Sequence, residues 1–193
     1  MFKNSHRLCK DPLNWYWFRN GFSAEEIEKI EEYANSLPRL KGNVGESTAE
    51  ESERKSVVRW FYRNPETEWL YAKLISMANE ANEVAWQFDM YSSDEAIQYT
   101  EYHDDGGHYD FHLDMSAGHL LNQRKISMTV QLSDATEYDG GNFEIMRGRA
   151  PEELPKEKGT VLVFPSYILH RVTPVTRGTR KSLVLWLGGG SFK

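Results

Sequence analysis

The chain has 193 residues, 39% hydrophobic and 13% aromatic, which suits one globular domain with a substantial core. Its 23 basic residues face 29 acidic ones, and the resulting net charge of −6 gives no general footprint for nucleic acid. No apolar run approaches the roughly 18 to 20 residues that span a bilayer, and a single cysteine, Cys9, excludes an intrachain disulfide and a cysteine-based metal site.

Met1 to His6 lacks the apolar core of a signal peptide, so the expected setting is reducing and cytoplasmic. The aromatic run Trp15-Tyr16-Trp17-Phe18 reads as packing between elements rather than as a binding surface. Ser23-Ala24-Glu25-Glu26 is a capping box, and Ile27, Ile30, Tyr33, Ala34 and Leu37 recur on one helical face until Pro38. The polar stretch from Lys41 to Ser56 reads as a solvated loop, with a closing lid as the alternative. Asn64 and Pro65 then look like the N-cap and first position of a second helix, striped by Leu70, Leu74, Met77, Ala81 and Val84.

After Trp86 the pattern changes to short strands: Ile97 to Tyr102, Tyr109 to Asp114, Ile126 to Leu132, Phe143 to Met146, Thr160 to Phe164 and Ser182 to Leu187. Asp139-Gly140-Gly141 reads as a turn between two of them, and Gly188-Gly189-Gly190 ends the last. The expected fold is therefore α+β, mainly β: a β-barrel or a jelly roll (a double-stranded β-helix), buttressed by N-terminal helices. A single domain over 1–193 is expected, with 1–90 as helical support and 91–193 as the jelly-roll core, since the helices need the sheet to cover their apolar faces.

In a regular strand His112 and Asp114 share a face while Tyr109, Phe111 and Leu113 point the other way. An imidazole beside a carboxylate is two-thirds of the 2-His-1-carboxylate triad, which suits Fe(II) because it leaves coordination positions open. Alone, such a pair is more often a plain hydrogen-bonded couple. His170 adds a third donor from an otherwise apolar stretch, where a hydrogen-bonded core histidine is the plain alternative. Arg180 opens the apolar strand that follows. A buried arginine is costly unless it meets an anion, and its planar fork matches a carboxylate. His103, His108 and His119 read as solvent-facing histidines on loops.

These residues carry a resemblance. Tyr102, Gly106, Gly107, Tyr109, His112-x-Asp114, Arg124, Leu132-Ser133-Asp134, Asp139-Gly140-Gly141 and the run from His170 through Pro174 and Gly178 to Arg180 and Ser182 resemble the prolyl 4-hydroxylase-like 2-oxoglutarate oxygenases. The likeness is greatest to the PKHD-type hydroxylases; it runs over about Ile97 to Leu187, with Arg54-Lys55-Ser56 and Trp60 similar in the first half. It implies iron held by His112, Asp114 and His170, and the 2-oxoglutarate C5 carboxylate on Arg180 with Tyr102 nearby. Tyr109, Arg124 and Trp186 would face substrate. Gln131 stands where many relatives carry an aromatic residue, and its amide can still donate to the co-substrate.

The implied activity is hydroxylation of an aliphatic C–H using Fe(II), 2-oxoglutarate and O2, with ascorbate as an accessory. Asp114 argues for hydroxylation, because related halogenases lack this carboxylate. Nucleic-acid dealkylases of the superfamily carry a second arginine where this chain has Trp186, which weighs against DNA or RNA. A peptidyl proline is the leading substrate, with lysyl or free amino-acid hydroxylation behind it. A metal-binding β-barrel without catalysis is the alternative from another class. The oligomeric state is not legible in the sequence.

Overall fold

The computed structural model describes residues 13–42, 53–91, 95–115 and 123–190. Cys9, His119 and most of the polar stretch 41–56 lie outside them.

Helix α1 (Ala24–Asn35) begins at the expected capping box: the Glu26 N–H donates to Ser23 Oγ at 3.2 Å, and the Ser23 N–H to Glu26 Oε2 at 2.8 Å. Helix α2 (Glu68–Ala85) begins after Thr67, later than Asn64 and Pro65 suggest. Asn64 Oδ1 accepts from the backbone N–H groups of Glu66 and Thr67, so this side chain closes a turn ahead of the helix. Val84 is 63% exposed, because the buried stripe runs from Leu74 through Ala78 to Ala81 and Val84 lies well off that line.

Strands β1 (Tyr16–Phe18), β2 (Leu40–Lys41), β3 (Arg54–Lys55) and β4 (Val57–Phe61) lie in the first half, where the sequence suggests helices alone. Ten more follow α2: β5 (Ile97–His103), β6 (His108–His112), β7 (Arg124–Gln131), β8 (Asp139–Gly140) and β9 (Phe143–Arg147), then β10 (Ala150–Glu153), β11 (Val161–Pro165), β12 (His170–Val172), β13 (Val175–Arg177) and β14 (Thr179–Gly188). The larger sheet runs β1-β11-β7-β14-β5-β4-β2 and the smaller β10-β9-β12-β6-β3. Asp139-Gly140, expected as a turn, forms β8 and pairs with β13. The strand β4 escapes periodicity because Arg59, among its buried positions, is held by Glu101 on β5 at 3.1 Å.

Side-chain alternation sets up two cores. Ile126, Met128 and Val130 on β7 point outward and pack with Leu183, Leu185, Ile97 and the buried faces of both helices. Tyr102, Leu162 and Phe164 of the larger sheet meet Phe143, Ile145 and Val172 of the smaller one across the interior. This is the expected jelly roll, with both helices on the outer face of its larger sheet. The aromatic run divides by the same alternation: Tyr16 and Phe18 pack on the helix-side core, Trp15 and Trp17 on the inner one. Ser127, Thr129 and Gln131 consequently face the interior.

Candidate active site

The inner face of the smaller sheet carries the two histidines. His170 opens β12 directly opposite His112, the last residue of β6, and their ring centroids are 4.2 Å apart. The next aligned pair is Val172 with Tyr109, so one residue of β12, Arg171, faces two of β6, Asp110 and Phe111. That irregularity is a β-bulge, and it reverses the parity of the strand. Tyr109 therefore stacks on His112, centroids 3.5 Å apart and planes 13° apart, instead of pointing to the opposite face as regular alternation suggests. Asp114 lies beyond the end of β6, where its backbone N–H donates to the Ser166 carbonyl at 3.1 Å.

The three side chains converge. His112 Nε2 lies 3.7 Å from Asp114 Oδ1, and His170 Nε2 lies 3.5 Å from Asp114 Oδ2. One donor atom from each residue lies within 4.8 Å of the others. Each imidazole turns its Nδ1 to a backbone carbonyl, of Asp110 at 2.7 Å and of Ile168 at 2.8 Å. A carbonyl only accepts, so Nδ1 carries the hydrogen and Nε2 presents its lone pair to the centre. Burial, with the neighbouring His170, pushes the His112 imidazolium down to about 3, which leaves the ring neutral. Burial alone would raise Asp114, but the charge that His170 and His112 can carry, a Ser127 hydrogen bond and Arg124 together outweigh it and lower the carboxyl. Asp114 Oδ2 is buried without a hydrogen-bond donor. Two imidazoles that turn Nε2 to a common centre beside a buried carboxylate fit a divalent cation of the iron type.

Arg180 lies on the inner face of β14, opposite Tyr102 on β5, and is 1% exposed. Its guanidinium sits 5.5 Å over the Tyr102 ring, and its terminal nitrogens donate to Gln131 Oε1 at 2.9 Å and Ser182 Oγ at 3.3 Å. Nε is buried without a partner. Among the described residues no carboxylate pairs with Arg180. A buried cation with neutral partners only is a site for an organic acid's carboxylate. Gln131 accepts from this arginine, while its amide N–H group reaches the Pro155 carbonyl at 3.5 Å. Arg177 is a surface residue paired with Asp139 at 2.7 Å, which removes it from the interior.

The space for Arg180 depends on Gly141, whose φ is +57° and whose hypothetical Cβ would stand 3.0 Å from Arg180 Cδ and 2.9 Å from Val175. Gly141→Ala is expected to cost about 1–3 kcal/mol in backbone strain alone, lowering the melting temperature by scanning calorimetry and weakening 2-oxoglutarate binding together. A variant that melts like the native chain would remove the constraint.

Trp186 is buried on the inner face of β14, and its Nε1 has no partner. Arg124 lies 3.9 Å over that ring, donates to the Asp114 carbonyl at 3.2 Å and forms a fork with Glu95. It therefore sits beside the His112–Asp114–His170 cluster, held by protein groups. His103 and His108 are half-buried strand residues rather than loop residues; His103 meets Thr179 at 3.2 Å and Arg39 at 3.3 Å, and His108 meets the Gly106 carbonyl at 2.8 Å. Neither joins the cluster. Two neighbours have no role in the sequence reading. Arg54, on β3, is buried 4.6 Å over the Tyr109 ring, and Glu95 anchors Arg124. Arg54-Lys55-Ser56 was visible as a motif, whereas nothing in the pattern around Glu95 marks it.

Residues 97–188 match the model of the 2OG-Fe(II) oxygenase superfamily. A PKHD-type hydroxylase of Teredinibacter turnerae is 38% identical over 86 residues, covering 42% of this chain and 38% of the relative. One of Acidovorax ebreus is 35% identical over 88 residues, covering 43% and 39%. The chain thus spans under two fifths of the length of these curated relatives. Among solved structures, a Trichoplax adhaerens prolyl hydroxylase in complex with a hypoxia inducible factor peptide fragment superposes with a TM-score of 0.76 at 14% identity, covering 91% of this chain and 84% of that one. A Pseudomonas putida prolyl-4-hydroxylase gives 0.69 at 19% identity, covering 92% and 94%. At such identities the structural likeness speaks for the fold.

Proposed function

We propose, from the match of residues 97–188 to the 2OG-Fe(II) oxygenase superfamily, that the chain is such an oxygenase and hydroxylates an aliphatic C–H, with a peptidyl proline as substrate. The observation that carries this reading is the convergence of His112 Nε2, His170 Nε2 and the Asp114 carboxylate on one point. These residues would hold Fe(II). When bound, the metal with 2-oxoglutarate and O2 supplies the oxidant that places one oxygen atom in the C–H bond, the co-substrate leaving as succinate and carbon dioxide.

The protein's own share is binding and orientation. Arg180 would take the C5 carboxylate, with Gln131 and Ser182 holding its fork and Tyr102 under its face. Tyr109 and Trp186 border the cluster with aromatic surface; the buried Trp186 N–H is free to donate to a substrate carbonyl. That surface favours a neutral, apolar group such as a proline ring. The peptide held by the Trichoplax protein supports a peptide substrate by analogy only. We read the described residues as one oxygenase domain, because the helices cover the outer face of the catalytic sheet. A cytoplasmic setting belongs to the same proposal; no described helix is long and apolar enough to cross a membrane.

The test is an anaerobic titration with Fe(II) and then 2-oxoglutarate, followed by its visible charge-transfer band. Proline-containing, lysine-containing and free amino-acid substrates are then compared for stimulated decarboxylation. The band should form, and proline peptides should stimulate turnover most. Metal uptake without a band would favour a metal-binding β-barrel, and stimulation by lysyl peptides or free amino acids alone would replace proline.

A further inference from the structure

We propose that Arg124 is a positioning residue for the metal-binding carboxylate rather than a substrate contact, an inference that rests on the oxygenase reading above. Asp114 lies past the end of β6, so no strand ladder fixes it. Its backbone is held from both sides instead: its N–H donates to the Ser166 carbonyl at 3.1 Å, and its carbonyl accepts from Arg124 NH1 at 3.2 Å. Ser166 belongs to the turn between β11 and β12, and Arg124 opens β7. The loop bearing the carboxylate is thereby tied to the adjoining ends of two neighbouring strands of the larger sheet, β11 and β7.

Arg124 can serve as such a tie because it is itself fixed. Nε donates to Glu95 Oε1 at 2.8 Å and NH2 to Glu95 Oε2, a two-pronged pairing with a residue just ahead of β5. Its planar face lies 3.9 Å over Trp186 on β14. Its side chain is 12% exposed, so solvent screens these contacts little. Each of the three guanidinium nitrogens has a protein partner, and the indole lies below the group. A lysine could reproduce the charge and none of that geometry. The arrangement spends the guanidinium on Glu95 and the loop of Asp114, while the neighbouring Trp186 N–H is buried without a partner.

The test compares the native chain with Arg124→Gln, Glu95→Gln and, as a surface control, Arg177→Gln. Co(II) is titrated into the apo proteins by visible absorption, and uncoupled decarboxylation of 2-oxoglutarate is followed over a range of Fe(II). Loss of an outer partner of a metal ligand typically weakens metal affinity by roughly 10–100-fold. That weakening is expected for Arg124→Gln and, toward the lower end, for Glu95→Gln. Their uncoupled turnover should be recovered by excess Fe(II), and Arg177→Gln should bind Co(II) like the native chain. Unchanged metal affinity with a raised KM for peptide would make Arg124 a substrate contact and overturn the proposal. A lowered apo melting temperature with unchanged metal affinity would make it merely structural and overturn it equally. Should Arg124→Gln fail to fold, Glu95→Gln decides by the same readings. A native chain that takes up no metal would instead bring down the oxygenase reading itself.

Discussion

Asp114→Ala and His170→Ala are each expected to erase the rise in melting temperature that Fe(II) gives the native chain, and with it all turnover of 2-oxoglutarate. Metal bound only by the folded state stabilises it by mass action, about 2.7 kcal/mol when free metal stands at 100 times its dissociation constant. For a domain of this size that corresponds to a shift of about 5–11 °C. The shift requires all three donors, because removing one leaves a two-point site from which the cation escapes readily. Asp114→Ala has a second signature. In the apo protein the burial of this carboxylate, with Oδ2 lacking any donor, opposes its favourable contacts with His170 and His112, so removing it loses both together and the two changes largely cancel. The apo variant should consequently melt close to the apo native chain, and the two should separate only when metal is added. His103→Ala, outside the cluster, should keep the full metal-induced shift. Scanning fluorimetry under anaerobic conditions reads all four proteins; a retained shift or retained turnover in Asp114→Ala would end the triad assignment.

The parts of this site legible in the sequence are those fixed by residue chemistry, and the parts that were not are those fixed by strand geometry. His112-x-Asp114, His170 and Arg180 announce themselves, because imidazoles and charges embedded in apolar strands need a reason to be there. Regular alternation nevertheless gave the wrong face for Tyr109. The bulge opposite β12 inserts one residue between it and His112, and a bulge leaves no mark in the pattern of hydrophobic residues. Nor is Asp114 on the strand at all; its place beside His112 comes from backbone contacts with Ser166 and Arg124. The same limit hid β4, whose Arg59 is buried against Glu101, a pairing between residues far apart in the chain. The capping box of α1 was readable because its two hydrogen bonds are local. Arg124 with Glu95 was not, since the sequence shows the cation without the partner that occupies it.

Arg180→Lys is expected to raise the 2-oxoglutarate requirement by about 10–150-fold, the equivalent of about 1.5–3 kcal/mol, while leaving metal affinity alone. The side chain is 1% exposed, so neither water nor salt substitutes for its contacts. Lysine keeps the charge but offers no fork, and it would leave Gln131 Oε1, which now accepts from the guanidinium at 2.9 Å, without that donor. Arg180→Met removes the charge as well and gives a sharper test of which end of the co-substrate the residue holds. The native chain should prefer 2-oxoglutarate strongly over a short 2-oxo acid that lacks the distal carboxylate. In Arg180→Met that preference should collapse, because the short acid never used the guanidinium and loses nothing with it. The ratio of the two acids' half-saturating concentrations, measured by decarboxylation in both proteins, isolates the carboxylate–guanidinium contact from any general damage to the site. Arg177→Lys should leave the ratio unchanged, its guanidinium being an exposed partner of Asp139. A preference that survives in Arg180→Met would move the anchor to another residue.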